Sequence, residues 1–264
     1  METETLTASL LARGHANYQE LFRAMARFSP DGAIEEQDGV MLARSGHLLP
    51  FLNFAAVFRP PSDPAAVLAR AQAFFFPFGL RFMLCTVDEA ASTMAPVAEA
   101  AGMEPNSEPG MLLAPLEGSI PAVPGLRIQN VEDAETLRAY IDTMTAGFGG
   151  GPWALPEILA DAAMLRVPDI THYLGVINGV PVATATRVTS HRIAGVFNIS
   201  TIPNYRKRGI GEAITWRAAL DGRQEGCIAS YLQASELGEP IYLRMGYRTV
   251  ATYRTWLSAK PDGN

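Results

Sequence analysis

In the second half of the chain, apolar and polar residues follow a two-residue period and a helical period in turn. Leu126 to Val131 alternate as a strand, and the next stretch, acidic at its start, places Leu137, Tyr140, Ile141 and Met144 at helical spacing. Beyond the glycine-rich Gly147 to Trp153, a second helical run is predicted from Pro156 to about Leu165. Asn178-Gly179 then sits between two strand-like runs, which predicts a hairpin with a type I′ turn. A third strand over Ile193 to Thr201 leads into "PNYRKRGIGEAIT", where Ile210, Ala213, Ile214 and Ala218 define one apolar helix face ending near Gly222 or Gly226. A strand "IASYLQAS", a short helix around Pro240 to Arg244 and a strand from Tyr247 to Ser258 close the chain.

The segment Ala114 to Pro124, rich in proline and small residues, reads as a linker. It divides the chain into domains at 1–118 and 119–264. The first half repeats part of the second: Ala98 to Leu116 resembles Tyr242 to Lys260 when Gly102 is laid on Gly246, with Cys85 and Cys227 in comparable strand contexts. A duplication is expected, against the alternative of two short helix-glycine-strand segments alike by chance. Nothing between Met1 and Pro115 repeats the cation-and-glycine run. The aromatic stretch Ala73 to Cys85 reads as a buried strand with its turn rather than a ligand pocket. The expected class is α+β, two domains each with a mainly antiparallel mixed sheet flanked by helices.

Composition narrows the chemistry. With 264 residues and 48% hydrophobic content the chain has enough apolar surface for one large core or two modest ones. It has no apolar run near the length of a membrane span, and its acidic start lacks the basic and apolar segments of a signal peptide, so a cytoplasmic protein with no membrane partner is expected. The 2 cysteines lie far apart without a CxxC or a His/Cys cluster, which argues against zinc and against a disulfide scaffold, and no metal is expected. A formal net charge of −6 leaves no broad basic face for nucleic acid. An anionic ligand must therefore be held locally, and Arg206, Lys207 and Arg208 are the local device.

Where a strand turns into a helix, the first backbone N–H groups are unpaired and the helix dipole adds positive potential, so such an end binds phosphate. Gly209 and Gly211 allow close backbone approach and unusual φ, and the three cations bracket it. A Walker A loop would need GxxxxGK[ST], which is absent. A dinucleotide fingerprint would need a third glycine where Ile214 stands. Arg206-Lys207-Arg208-Gly209-Ile210-Gly211 does match [QR]-x-x-G-x-[GA]. With "FNISTIPNY" before it and "LQASELGEPIYLRMGYR" after it in family order, the chain resembles the GNAT acetyltransferase superfamily over Leu126 to Ser258, and only faintly in its first half.

The resemblance implies two GNAT-like domains, the first degenerate. It implies acetyl-CoA as co-substrate, its diphosphate on Arg206, Lys207, Arg208, Gly209, Ile210 and Gly211. The strand Val196 to Thr201 would splay from its neighbour and offer backbone groups around Ile199 and Thr201 to the pantetheine arm. Ser235 stands where many members have Asn, and Tyr242 where the family commonly keeps a tyrosine that protonates the departing thiolate; a tyrosine that only hydrogen-bonds the core is the other reading. The implied reaction is direct attack of an amine, on a small molecule or a protein, in a ternary complex. The strand "GVFNIST" lacks the carboxylate many members use as base, so Asn198 or Ser200 with a water, or an amine arriving neutral, are the alternatives, and His172 and His191 are read as structural or solvent-facing. Phe148 and Trp153 are read as apolar contacts of a lid over the acceptor, or as parts of a plain connector. A non-catalytic acyl-CoA-binding or sensing protein is the rival function. Neither the acceptor nor the oligomeric state follows from the sequence.

Overall fold

The computed structural model describes residues 2–150 and 165–259, which leaves Trp153 and most of the run from Pro156 to Leu165 outside the described residues. The chain separates into two compact units: 1–18 with 111–248, and 19–110 with 249–264. The expected single cut at 118/119 differs from this at both chain ends.

The larger unit is built on strands β6 (Leu126–Asn130), β7 (Ile170–Ile177), β8 (Val180–Ser190), β9 (Ile193–Thr201) and β10 (Ala229–Gln233). They run in the order β10-β9-β8-β7-β6, antiparallel except for the parallel β9–β10 pair. The β7–β8 hairpin turns on Asn178 (φ 51°) and Gly179 (φ 80°), the two positive φ values that a type I′ turn requires. Helix α4 (Ala134–Gly147) starts in a capping box of Asp133 with Thr136, and packs Leu137, Tyr140, Ile141 and Met144 on Leu174 and Val176. On the opposite face α5 (Ile210–Gln224) packs Ile210, Ile214 and Ala218 against Tyr173, Ala183, Ala185, Ala194 and Val196. Alternation along β8 thus sends alanines to α5 and threonines to α4.

The expected linker is not free chain. Leu116 is buried, Arg223 Nη1 donates to its carbonyl at 3.2 Å, and Gly118 lies so close on Trp216 that a Cβ there would clash. The segment is a strap across α5. The first residues of α1 (Glu2–Phe28), a helix the sequence reading did not anticipate, also belong to this unit. Gly14 lies flat on the Tyr231 ring, Tyr18 stacks on Phe197 at 5.4 Å, and Asn17 Nδ2 donates to Val188 O (2.9 Å), Ser190 Oγ (2.8 Å) and Ile193 O (3.1 Å).

The second unit holds β1 (Ala33–Gln37), β2 (Val40–Arg44), β3 (Phe54–Val57), α2 (Pro64–Phe75), β4 (Met83–Val87), α3 (Asp88–Ala100), the first residues of β5 (Glu104–Leu113), and β11 (Arg248–Leu257) from Thr249. Its strands run β1-β2-β3-β4-β11-β5, with β3–β4 parallel and β11 antiparallel to β4 from Tyr253↔Val87 to Leu257↔Met83. The closing strand therefore completes this sheet rather than that of the larger unit, and the reason is Trp256, 0% exposed among Phe82, Leu84 and Met94. Ala73 to Phe75 end a helix rather than belong to a buried strand, and only Met83 onward is strand. Cys85 lies in β4, whereas Cys227 precedes β10; both thiols are free and buried. Among the described residues no helix is long and apolar enough to cross a membrane, and no cluster of His, Cys, Asp or Glu could hold a metal ion.

Candidate functional site

Strand β9 has nine residues, but its parallel pairing with β10 covers only Ile193↔Ala229, Ala194↔Ser230 and Gly195↔Tyr231. From Val196 onward its β10 side has no strand pairing among the described residues, while the other side stays on β8 as far as Ala183↔Thr201. Asn198, at φ 51°, is part of a bulge where the β8–β9 register shifts between Thr184 and Thr186. The splay expected from the sequence is present. A backbone edge left unpaired beside the sheet interior is a ready partner for an extended polar chain.

At the end of this edge, Pro203–Tyr205 form a single 3-10 turn, Lys207 (φ 60°) and Gly209 (φ 77°) adopt left-handed conformations, and α5 begins. Gly209 is the N-cap and supplies no side-chain acceptor. The first bond into the helix runs from Ala213 N–H to Gly209 O at 3.0 Å, so the N–H groups of Ile210, Gly211 and Glu212 have no backbone acceptor among the described residues. Left-handed residues followed by a helix start turn successive N–H groups toward one point, an anion-binding arrangement. A Cβ at Gly211 would meet only Thr201 Oγ1 at 3.6 Å, ordinary contact, so the protein itself does not demand glycine there.

The three cations divide. All three are exposed, and the Arg208 guanidinium lies 5.0 Å from the Tyr205 ring. Arg206 is engaged: its Nε donates to Thr201 O at 3.0 Å and its Nη2 to Gly147 O, the last residue of α4, at 2.7 Å. A cation at a helix C-terminus is favoured by the dipole, and Arg206 ties the end of β9 to the end of α4. The Thr201 carbonyl is thereby occupied. Ile199 is half-buried on the α5 side of the sheet. The exposed Ser235 accepts the Gly238 N–H on its hydroxyl at 3.3 Å and on its carbonyl at 2.9 Å, a turn that starts α6 (Glu239–Arg244).

Tyr242 sits in α6, buried, its ring laid on Gly238 where a Cβ would approach to 2.8 Å. Burial first, and Tyr247 second, push its phenol well above the ordinary value, opposed by a hydrogen bond with Thr215. The Thr215 hydroxyl donates to Gly211 O at 2.7 Å, so Tyr242 is one side chain removed from the first turn of α5. A phenol so placed keeps its proton at neutral pH.

Sequence reading missed a buried polar cluster between α4 and the sheet. Thr186 Oγ1 lies 2.5 Å from the Tyr140 hydroxyl, 2.9 Å from His172 Nδ1 and 3.3 Å from Asn198 Nδ2. Beside it, Thr184 Oγ1 meets Ser200 Oγ at 2.8 Å and donates to Asn198 O at 2.9 Å. Burial pushes Tyr140 up to about 12 and His172 down to about 4. The alternation of Ala and Thr in "VATATRV" was the available signal, a polar stripe on a strand whose two faces are both covered. Two surface concavities, of about 400 and 450 Å³, share Arg217 in their linings and include neither the 206–211 loop nor Tyr242.

No protein-family model and no curated protein matches the sequence. Solved structures do. A GCN5-related N-acetyltransferase from Kribbella flavida superposes with a TM-score of 0.70 at 22% identity, over 95% of this chain and 96% of its own. A GCN5-related N-acetyltransferase-like protein from Streptococcus suis gives 0.59 at 14%, over 86% and 88%. A tandem GNAT protein from the clavulanic acid biosynthesis pathway gives 0.56 at 14%, over 89% and 85%. The match runs through both compact units, and the chain carries the fold of the GCN5-related N-acetyltransferases along nearly its whole length.

Proposed function

We propose that this chain is an acetyl-CoA-dependent N-acetyltransferase. The observation that carries the reading is the uncapped start of α5, whose first N–H groups have no backbone acceptor among the described residues, with the exposed cations Lys207 and Arg208 beside it, at the end of a strand edge that has left its neighbour. The N–H groups of Ile210 to Glu212, with Lys207 and Arg208, would hold the diphosphate, and the unpaired edge of Val196 to Ser200 would hold the pantetheine amides. The co-substrate supplies the activated acetyl thioester. Tyr242 is protonated at neutral pH and so has a proton to offer a departing sulfur. Proximity of a bound amine to the thioester supplies much of the acceleration. The amine belongs to a small molecule or to a protein, and the first-half unit, which repeats no such loop, is a degenerate copy.

Calorimetric titration of acetyl-CoA and free CoA tests this before any acceptor is known. Micromolar binding is expected, weakened on the order of tenfold in a Lys207→Ala, Arg208→Ala double variant. Wild-type protein that binds neither ligand would sink the proposal; binding without transfer to any amine would leave the non-catalytic acyl-CoA-binding reading.

A further inference from the structure

The strap leaves beside α5 a concavity of about 400 Å³, within the roughly 300–1,000 Å³ of small-molecule sites. It lies between strap residues 120–123, Leu126 and Ile128 of β6, and Ala213 and Arg217 of α5. Val123, Leu126 and Ile128 are half-buried and Ile120 is 43% exposed, so part of an apolar wall is uncovered. Arg217 is charged and every other lining residue is apolar; the carboxylates of Glu132 and Asp133 line the neighbouring concavity instead.

Two contacts join this hollow to the start of α5. A Cβ on Gly209, the N-cap, would stand 3.5 Å from Val123 Cγ2, and Ala213 is the residue whose N–H closes the first turn on Gly209 O at 3.0 Å. A ligand with phosphates on the N–H groups of Ile210 to Glu212 therefore has the wall of Val123 and Ala213 beside it. Arg217 is one turn beyond Ala213 on the same face, about 10 Å of helix rise from Ile210. Its Nε donates to Asp221 Oδ2 at 2.8 Å, and the same oxygen accepts from the Tyr173 hydroxyl at 3.1 Å. The guanidinium is thus anchored at Nε, while Nη1 and Nη2 have no acceptor among the described residues. A planar fork so anchored, on the lining of an apolar hollow, suits a phosphate.

We infer that this concavity receives the adenosine 3′-phosphate end of acetyl-CoA, with the adenine ring on the wall between strap and α5 and the 3′-phosphate on Arg217. The inference rests on the acetyltransferase reading and extends it to the end of the co-substrate farthest from the thioester. The match is chemical: a flat base with apolar faces and a second anionic group, joined through one ribose to the diphosphate. No covalent bond forms or breaks here. The strap is then a binding wall, and the protein distinguishes CoA from dephospho-CoA, which lacks the 3′-phosphate, and from 4′-phosphopantetheine, which lacks the nucleotide.

Calorimetric titration of these three ligands into the full chain decides it. In the wild type, dephospho-CoA is expected to bind about tenfold more weakly than CoA, a modest factor because Asp221 offsets part of the Arg217 charge. Arg217→Gln is expected to weaken CoA about tenfold and dephospho-CoA less than threefold, which erases most of the difference. Ala122→Phe, at an exposed strap position where a ring would occupy the hollow, is expected to weaken CoA and dephospho-CoA about tenfold and 4′-phosphopantetheine less than twofold. Wild-type protein that binds CoA and dephospho-CoA alike, an Arg217→Gln variant that still separates them tenfold, or an Ala122→Phe variant that binds CoA as tightly as wild type each overturns the inference and leaves the transferase reading standing. Should Arg217→Gln fail to fold, the wild-type comparison and Ala122→Phe still decide. Wild-type protein that binds none of the three removes the parent reading, and this inference with it.

Discussion

Each compact unit contains one parallel strand-helix-strand crossover, β3–α2–β4 in one and β9–α5–β10 in the other, and the two differ at every point that matters for a ligand. The β3–β4 pairing runs the full length of β3, from Phe54↔Met83 to Val57↔Thr86, whereas β9 leaves β10 after three residue pairs. Helix α2 starts with Asp63, whose carboxylate accepts the Ala66 N–H at 2.9 Å, followed by Pro64, which has no N–H. Helix α5 starts with Gly209, no cap, and exposed cations before it. Aligning Gly102 on Gly246, both left-handed and both between a helix and a strand, sets Ala98 in the place of Tyr242. One crossover has spent its helix start on its own stability; the other leaves it open.

The sharpest way to break this contrast is to give α5 the cap that α2 has. Gly209→Asp places a carboxylate among the N–H groups of Ile210 to Glu212 and against any phosphate. Losing two charge-assisted bonds costs about 3–6 kcal/mol, so acetyl-CoA affinity is expected to fall about 10³-fold in calorimetry, with stability lowered by only about 1 kcal/mol from the strain of a side chain at a left-handed φ. Retained affinity would mean that the loop is not the anion site. Next in size, Tyr242→Phe is expected to lower kcat about 10²-fold while acetyl-CoA Kd stays put, since the phenyl ring still fills the space on Gly238. Because the phenol is raised and is needed protonated, any loss of activity through its ionisation is expected only above the ordinary tyrosine range, on the alkaline limb of a kcat profile. An alkaline limb that falls within the ordinary range and disappears in Tyr242→Phe would contradict the burial argument.

Arg206 sharpens the comparison more gently. Its guanidinium is held by Thr201 O and Gly147 O, so Arg206→Ala is expected to cost about 1 kcal/mol of stability and to change acetyl-CoA affinity less than threefold, in contrast to the Lys207, Arg208 pair. A tenfold loss of affinity from Arg206→Ala alone would show that it leaves these carbonyls for the ligand.

Local pattern made the larger unit legible. The Asn178-Gly179 turn, the α5 apolar face and the strand Ile193 to Thr201 are set by neighbours in sequence, and all three stand where periodicity placed them. What escaped is non-local. Nothing in "YRTVATYRTWLS" says that Trp256 is buried beside Phe82 and Leu84 in the first half's core, because strand pairing leaves no mark on the strand itself. The strap over α5 looked like a linker since proline and small residues suit both. At the site, the splay and glycine loop followed from the motif, but the occupation of Arg206 by the α4 end, and the meeting of Tyr140, His172, Thr186 and Asn198 from four elements, arise only on folding.

The smallest expected effect tests whether a helix start alone makes the site. Asp63→Ala removes the α2 cap and should destabilise the protein by about 1 kcal/mol, read as a fall in Tm of about 2–4 °C. It should confer no acetyl-CoA binding on a variant whose α5 loop has been closed by Gly209→Asp. Two features withhold it: Pro64 still presents no donor, and β3 remains paired to β4 along its whole length, so no edge is left for the pantetheine amides. Should binding appear in that double variant, the strand edge would be dispensable, and the splay of β9 would have to be explained by packing alone. If binding stays absent, the anion site requires both an open helix start and a strand that has let go of its neighbour, and in this chain only α5 and β9 supply the pair among the described residues.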